Sequence, residues 1–531
     1  MKSCTVIKKA RKEKMWMVFF FVCVLHCTVA YKVLVCFPFP AKSMNNLGEG
    51  IVRHLLDAGH EVTFITVYPK QVTHPKFRQI DVSGNAALIE NDEHVNITYI
   101  LENSAEVSSD KEFLQELTWK IAVNTFQDAN MRRLVEDTQG KFDVVIADLL
   151  ETELYAGLAV LYDAPLIWSY SMGAHWLAIR MIDDPTNPAY STDYYASVSP
   201  PYSVGQRFQI LWQQIMWRYA KYFKYMPKEK NSFKSIFGPL IAKRGRKLPK
   251  YEELIYNASL VLSNEHHATG KIPKTPQNWK LVGGYHIQDP PVSLPKDLQV
   301  MMDNAKHGVI YFSMGSMWKS EMIPKRLTDE LLKMFGGLKE TILWKYEADL
   351  PHRPKNVHTI KWAPQQSILA HPNCKIFISH GGLLSSTEAI HFGVPIIGIP
   401  ISYDQYINIE KSVTKGYALK VSLSYNLAKD LKPAIESLIQ DTKYKENVKF
   451  LSSIYHDRPI PPGKELVHWI EHVVRSRGAL HLRSIALDVP FYQKAYLDII
   501  AITIITFTLI TCLIKQLFRR KPTKQIKKKV N

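Results

Sequence analysis

The tightest constraint on the fold lies between residues 374 and 392, where the apolar run Lys375-Ile376-Phe377-Ile378 passes through His380-Gly381-Gly382 into a predicted helix over residues 385–392. A short buried strand that feeds a helix through a glycine turn belongs to a parallel sheet with helices on its faces. Such a turn aims several backbone N–H groups outward, with the positive end of the helix dipole behind them, and so suits a diphosphate. Ser385 and Ser386 add hydroxyl donors, and His380 can donate to a phosphate oxygen and offset charge on a leaving diphosphate. A second apolar strand over residues 396–399 leads to a loop with Asp404 and Gln405, an acceptor and an amide suited to sugar hydroxyls. Upstream, Trp362 offers a flat face for a base, and the Gln365 amide both donates and accepts. The stretch from 362 to 405 therefore reads as a nucleotide-sugar site.

The strand-then-helix pattern recurs on both sides. Residues 33–37, 62–67, 144–147, 164–169, 261–264 and 281–284 are predicted strands of the first half, and residues 308–316 and 341–345 open the second. A chain of 531 residues exceeds one ordinary core and divides into two doubly wound domains. The boundaries predicted are 31–284 for the first domain, 285–300 for a stiff Pro-containing linker, 301–456 for the second domain, and 457–490 for helices returning across the cleft. Ligands in such sheets bind beyond the carboxyl ends of the strands. The loop over 38–46, Asp148, and the strand exit carrying Ser171, His175 and Trp176 are therefore expected at one site, with Ser316 in a second Gly/Ser turn. Residues 183–246 are rich in Pro, Tyr, Trp, Phe and Lys, with one long helix predicted over 203–226. It reads as a packed excursion, a greasy acceptor pocket or a membrane-facing surface.

The formal net charge of +18 invites a nucleic-acid partner, but the location of the charge argues against one. Residues 1–14 contribute +5 and residues 515–531 contribute +8, so the body is near +5. The first flank, with the apolar run over 15–25 and small residues at 28–30, predicts a secretory signal peptide over 1–30. The second follows residues 497–518, which read as one membrane span, and residues 519–531 read as a cytosolic basic tail ending in a dilysine signal at Lys528 and Lys529. The expected location is the endoplasmic reticulum membrane, single-pass type I, with the body in the lumen and glycosylation sequons at Asn96 and Asn257. Of six cysteines only Cys36 and Cys374 fall in the body, in different domains, and they read as buried free thiols; no metal-ligand spacing appears.

In order and spacing, His380, Gly382, Ser385, Glu388, Pro395, Pro400, Asp404 and Gln405 resemble the signature of the UDP-glycosyltransferases, the inverting family that includes animal glucuronosyl- and glucosyltransferases. The likeness covers nearly the whole mature chain and is similar to insect membrane-bound members. It implies an α/β fold of GT-B type, two Rossmann-like doubly wound parallel-sheet domains facing a cleft, the first binding an acceptor and the second a UDP-sugar. The donor-binding residues it implies are Ser316, Trp362, Gln365, His380, Gly382, Ser385, Ser386, Glu388, Asp404 and Gln405. The implied activity is transfer of a hexose, glucose by the insect likeness, from a UDP-sugar to a small lipophilic acceptor, without cofactor or metal. Homo- or hetero-oligomers with related transferases are implied partners.

Two positions depart from the pattern. Leu384 stands where the family often has Asn, and Met44 stands where insect members carry the catalytic His. Asp148 sits where the family's Asp orients that His. A thioether cannot accept a proton at neutral pH, and losing a positioned general base costs about 10²- to 10⁴-fold. Three readings follow. The acceptor is one, such as an amine, that attacks first and loses its proton afterwards, as family members lacking this His are associated with N-glycosylation. Another base is recruited, with Asp148 acting directly or His175 reaching in. Or the protein is a catalytically impaired UDP-sugar binder with a regulatory or hetero-oligomeric role.

Overall fold

The computed structural model describes residues 30–519 apart from 91, 93–95, 104–109, 185–186, 192, 196–199 and 270–273. The predicted leader up to residue 29 and the tail with Lys528 and Lys529 lie outside the described residues.

The first sheet contains β1 (Lys32–Phe37), β2 (Glu61–Thr66), β3 (Phe77–Asp81), β4 (Val144–Asp148), β5 (Leu166–Tyr170), β6 (Leu260–Ser263) and β7 (Trp279–Leu281). All pair in parallel in the order β3-β2-β1-β4-β5-β6-β7, so the order reverses between β1 and β4. Helices cover both faces, and β4 and β5 are accordingly buried at every residue.

After β1 the chain enters α1 (Lys42–Asp57) sooner than predicted. Ala41 caps it in extended conformation, and the Asn45 N–H donates to the Ala41 carbonyl at 3.0 Å. Met44, expected on a loop, therefore lies on the helix, on the apolar stripe it shares with Leu47, Ile51 and Leu55. That stripe extends the helix backward over residues whose Pro-rich neighbourhood signals a turn.

The long aromatic helix also differs from expectation. It opens as α2 (Val204–Ala220) on a capping box between Ser203 and Gln206, passes through a π turn at Lys221–Tyr225, and continues as α3 (Met226–Ala242). Pro227 marks a stop in the sequence, but it occupies the first turn of α3, where proline is tolerated. At the π turn Lys221 points inward, 2.8 Å from Glu153 and 3.3 Å from Glu229. Phe208, Leu211, Trp212, Ile215 and Tyr219 stay exposed on α2.

The second sheet contains β8 (Val309–Ser313), β9 (Thr341–Lys345), β10 (Val357–Ile360), β11 (Cys374–Ser379), β12 (Ile396–Gly398) and β13 (Ala418–Lys420), again parallel, in the order β10-β9-β8-β11-β12-β13. Its helices include α4 (Leu383–Phe392) and α5 (Asp404–Thr414). A helix at Lys296–Asp303 begins inside the stretch expected to be linker. The linker itself is fixed to the second domain, where Ser367 Oγ donates to the Val292 carbonyl at 2.6 Å and the Gln288 N–H donates to Gln366 Oε1 at 2.9 Å.

Beyond the second domain, α6 (Pro462–Arg475) returns to the first and buries Leu466, Ile470 and Val473 among Val33, Leu47 and Ile51. It ends at Arg475, inside the predicted 457–490, and Arg477 (φ 53°) and Gly478 (φ 101°) then turn the chain. The last described element, α7 (Leu497–Arg519), has 23 residues, an 18-residue stretch of mean hydropathy 2.4 and no buried residue; among the described residues it is the helix long and apolar enough to cross a membrane. Cys36 and Cys374 are buried free thiols, one in each sheet.

Candidate functional site

Between the carboxyl ends of the two sheets lies a cavity of about 500 Å³ lined by both domains. Strand β11 delivers His380 to it, and two glycines clasp the imidazole. A Cβ on Gly315 would come within 2.6 Å of the ring and one on Gly382 within 2.7 Å, and Gly315 also has φ 83°. Its Nδ1 is buried without a hydrogen-bond partner. Burial, then the nearby Lys345 ammonium, push the His380 pKa down to about 4. The ring is therefore neutral at neutral pH and can donate an N–H, with the Lys345 ammonium beside it. Lys345 ends β9, is nearly buried, and donates from Nζ to the Gly315 carbonyl at 2.9 Å while pairing with Glu347. It belongs to no motif; a lysine closing an apolar strand gains meaning only when β9 is seen beside β8.

Gly382 caps α4 with extended backbone, and the two serines of the first turn part company. Ser385 lines the cavity. Ser386, one position or roughly 100° further around the helix, lies outside that cavity with its Oγ buried and unpartnered. One turn on, Glu388 is the hub of a buried network. Gln365 Nε2 donates to its Oε2 at 2.7 Å and to Ser385 Oγ at 3.2 Å, Gln366 Nε2 donates to its Oε1 at 3.0 Å, and His286 Nε2 lies 3.3 Å from the same oxygen. Burial alone would raise the carboxyl, but His286, Gln365 and Gln366 overcome it and hold the pKa below its usual value.

Trp362 is 52% exposed at the cavity wall, with Lys42 Nζ from α1 4.0 Å above its ring. Asp404 and Gln405, expected on a loop, form the first turn of α5 after Tyr403 at φ 48°. Asp404 accepts from Asn408 Nδ2 at 2.7 Å, and burial raises its pKa to about 6. Gln405 uses its Oε1 on the backbone N–H groups of Ile401 and Ser402, at 2.8 and 3.2 Å, so that oxygen organises its own turn. Ser316 and Leu384 also line the cavity.

The first domain supplies an apolar wall that includes Phe39, Met44, Ile89, Phe113 and Leu117. Met44 packs there among Phe39, Leu117 and Ile121. Asp148 does not line the cavity. It ends β4 only 4% exposed, its Oδ1 has no partner, and burial raises its pKa to about 8. In this protonation state it cannot take a proton, which counts against the direct-base reading. His175 does line the cavity, and its Nε2 lies 3.3 Å from Asp193 Oδ1. Asp193 also accepts from Trp176 Nε1 at 3.2 Å and from the Tyr195 N–H at 3.0 Å. Sequence reasoning missed Asp193, which lies in the motif-free aromatic stretch, 18 residues from its partner.

Outside the cavity, Asn96 and Asn257 are exposed; Asn96 Oδ1 accepts from the Thr98 N–H at 2.9 Å, and Asn257 Oδ1 accepts from the Arg483 guanidinium. Asp289, His391 and His456, from three separate segments, bring ligand atoms within 4.8 Å of one another, a grouping that spacing along the sequence does not reveal.

A family model described as "UDP-glucoronosyl and UDP-glucosyl transferase" matches residues 32–531. "UDP-glucosyltransferase 2" of Dactylopius coccus is 32% identical over 91% of this chain and 92% of its own length. "UDP-glucuronosyltransferase 2B15" of Rattus norvegicus is 29% identical over 85% of this chain and 86% of its own. Among solved structures, CalG4, the calicheamicin glycosyltransferase, matches with a TM-score of 0.54 over 84% of this chain and 99% of that one at 16% identity. The glycotransferase of kitacinnamycin gives a TM-score of 0.54 over 83% and 98%, also at 16% identity. Those structural likenesses speak to the fold, the GT-B arrangement of two facing Rossmann-like domains. With a family match across the whole described body and relatives aligned over nearly their full length, the chain belongs to the UDP-glucuronosyl and UDP-glucosyl transferase family.

Proposed function

We propose that this chain is an inverting transferase that moves a hexose, glucose on the likeness to the Dactylopius glucosyltransferase, from a UDP-sugar to a small lipophilic acceptor. The observation that carries the reading is one cavity with the polar cluster of Trp362, Gln365, His380, Ser385, Glu388 and Asp404 on one side and an apolar wall on the other. Trp362 stacks on the base, and the ionised Glu388, with lone pairs to spare, accepts from the ribose hydroxyls. The diphosphate lies against the α4 N-terminus and the Gly315-Ser316 turn, with an N–H from His380 and the charge of Lys345. Asp404 accepts from sugar hydroxyls. The acceptor atom forms a new bond to the anomeric carbon from the face opposite UDP; the bond to the β-phosphate oxygen breaks with its electron pair, and the acceptor loses its proton. This charge set invokes no metal.

We further propose that α7 anchors the chain in the endoplasmic reticulum membrane with the body in the lumen, Asn96 and Asn257 glycosylated, and Lys528 and Lys529 as the retrieval signal. The exposed aromatics of α2 stand outside the cavity and fit a membrane-facing surface better than an acceptor pocket. Protease treatment of intact microsomes should cleave the tail and spare the body; a digested body would refute this topology.

The test of function is mass spectrometry of the full chain incubated with UDP-glucose, other UDP-sugars and a panel of phenols, alcohols and amines. The expected product is the acceptor plus one hexose in inverted linkage. A second reading, a non-catalytic UDP-sugar binder, is favoured by Met44 and the neutral Asp148, and silence across the panel despite UDP binding would establish it.

A further inference from the structure

Resting on that transferase reading, we infer that His175, held by Asp193, is the general base that takes the acceptor's proton in place of the imidazole missing at position 44. His175, 2% exposed, lines the same cavity as Met44 and Asp404. With Nε2 turned to Asp193, Nδ1 is the nitrogen left to receive a proton. A base oriented by a buried carboxylate is the arrangement that fixes one tautomer and stabilises the imidazolium once formed. Asp193 is equipped for that positioning role. It is fully buried, and although burial alone would raise its pKa, His175, Lys111 and the Tyr195 N–H pull it down to about 2. The orphaned Asp148, raised to about 8, has none of these supports.

Ring contacts give the dyad its place along the cavity. His175 stacks on Tyr194 at 5.2 Å and meets the edge of Tyr195 at 6.0 Å. Tyr195 in turn meets Tyr403 of the second domain at 6.2 Å, one residue before Asp404. The dyad is therefore joined through Tyr195 to the second-domain segment that leads into Asp404, the carboxylate assigned to the sugar, and shares one cavity with it. The charged groups facing it are Asp193, Glu151, whose Oε1 accepts from the Tyr195 hydroxyl at 2.6 Å, and Lys111, whose Nζ lies 4.5 Å from the Tyr195 ring centroid. In the step itself the acceptor oxygen bonds to the anomeric carbon, its proton passes to His175 Nδ1, and UDP leaves with the electron pair. The proton then returns to water.

The test measures hydroxyl and amine transfer and UDP affinity for the full chain and for His175→Gln, His175→Ala and Asp193→Asn. Hydroxyl kcat/KM should fall by about 10²-fold or more in both His175 variants, within the range for a general base, and the ratio of hydroxyl to amine turnover should fall by about ten-fold or more. The acidic limb of the hydroxyl pH profile, where a protonated ring cannot accept, should vanish in His175→Gln and shift in Asp193→Asn, an effect that a packing role would not produce. Met44→His introduced into His175→Ala should recover part of the loss. UDP affinity reports on the transferase reading separately. A wild type that fails to bind UDP overturns that reading and this one together. With UDP bound normally, hydroxyl transfer within about three-fold of wild type in His175→Ala, or no hydroxyl transfer by the wild type at all, overturns the base assignment alone.

Discussion

Glu388 in the second domain and Asp148 in the first are both buried carboxylates, yet one accepts from Gln365 and Gln366 with His286 at 3.3 Å, while the other has an Oδ1 with no partner. The first is held below its usual pKa and the second is pushed up to about 8. A charge can be kept in a protein interior when hydrogen bonds replace its hydration, and otherwise the group neutralises. The donor half of the cleft thus keeps a complete polar shell around an ionised acid. The first domain gives Asp148 no such shell, and on the proposed reading Met44 stands where the resembled family carries the imidazole that this acid would orient. On the proposed reading, donor binding and proton removal thus rest on separate groups.

The largest expected effect breaks the complete side. Glu388→Ala removes the shared acceptor of two amides and an imidazole, and UDP affinity should fall by about 10- to 100-fold, the equivalent of one or two charge-assisted hydrogen bonds. Isothermal titration reads this directly.

Repairing the incomplete side comes next. Met44→His, on the cavity face of α1, should raise hydroxyl transfer by roughly ten-fold, and Asp148→Asn in that background should remove most of the gain because the ring loses its orienting acid. Steady-state kinetics on a phenol decides it.

A smaller effect is the pH dependence of stability. The folded-state pKa of Asp148 is raised, so the folded chain holds a proton that the unfolded chain loses between about pH 4 and pH 8. Its contribution to stability is then lost as pH rises through that window, by at most about 1.4 kcal/mol per pH unit. Asp148→Asn should flatten the slope, with no gain near pH 4 and the greatest gain near pH 8, measured by denaturant melts across that range.

The smallest effect separates neighbours on α4. Ser385→Ala should weaken UDP binding by about two- to ten-fold, in keeping with one neutral hydrogen bond, whereas Ser386→Ala should change it by less than about two-fold.

The parallel sheets were legible because strands buried on both faces carry unbroken apolar runs, as in Val309-Ile310-Tyr311-Phe312. The edge strands β3, β10 and β13 were not, because Phe77–Asp81, Val357–Ile360 and Ala418–Lys420 are half-exposed and mix polar with apolar residues. The polar side of the cavity was legible where it follows one continuous segment: His380, Gly382, Ser385 and Glu388 are neighbours in sequence. Contacts made across the fold were not, among them Lys345, Lys42 over Trp362, and Asp193 behind His175. Nor does a motif reveal which neighbouring serine faces a cavity or whether a buried imidazole is charged. Those properties depend on helix phase and on the groups packed nearby.

The central claim, an intact donor half beside an altered proton-removal half, is tested most directly by titrating UDP into the full-length wild type without added metal, alongside His175→Ala and Glu388→Ala. The account predicts binding near about 10 μM, a free energy of roughly −7 kcal/mol, unchanged within about two-fold in His175→Ala and largely lost in Glu388→Ala. No binding by the wild type, or equal binding by Glu388→Ala, would contradict it.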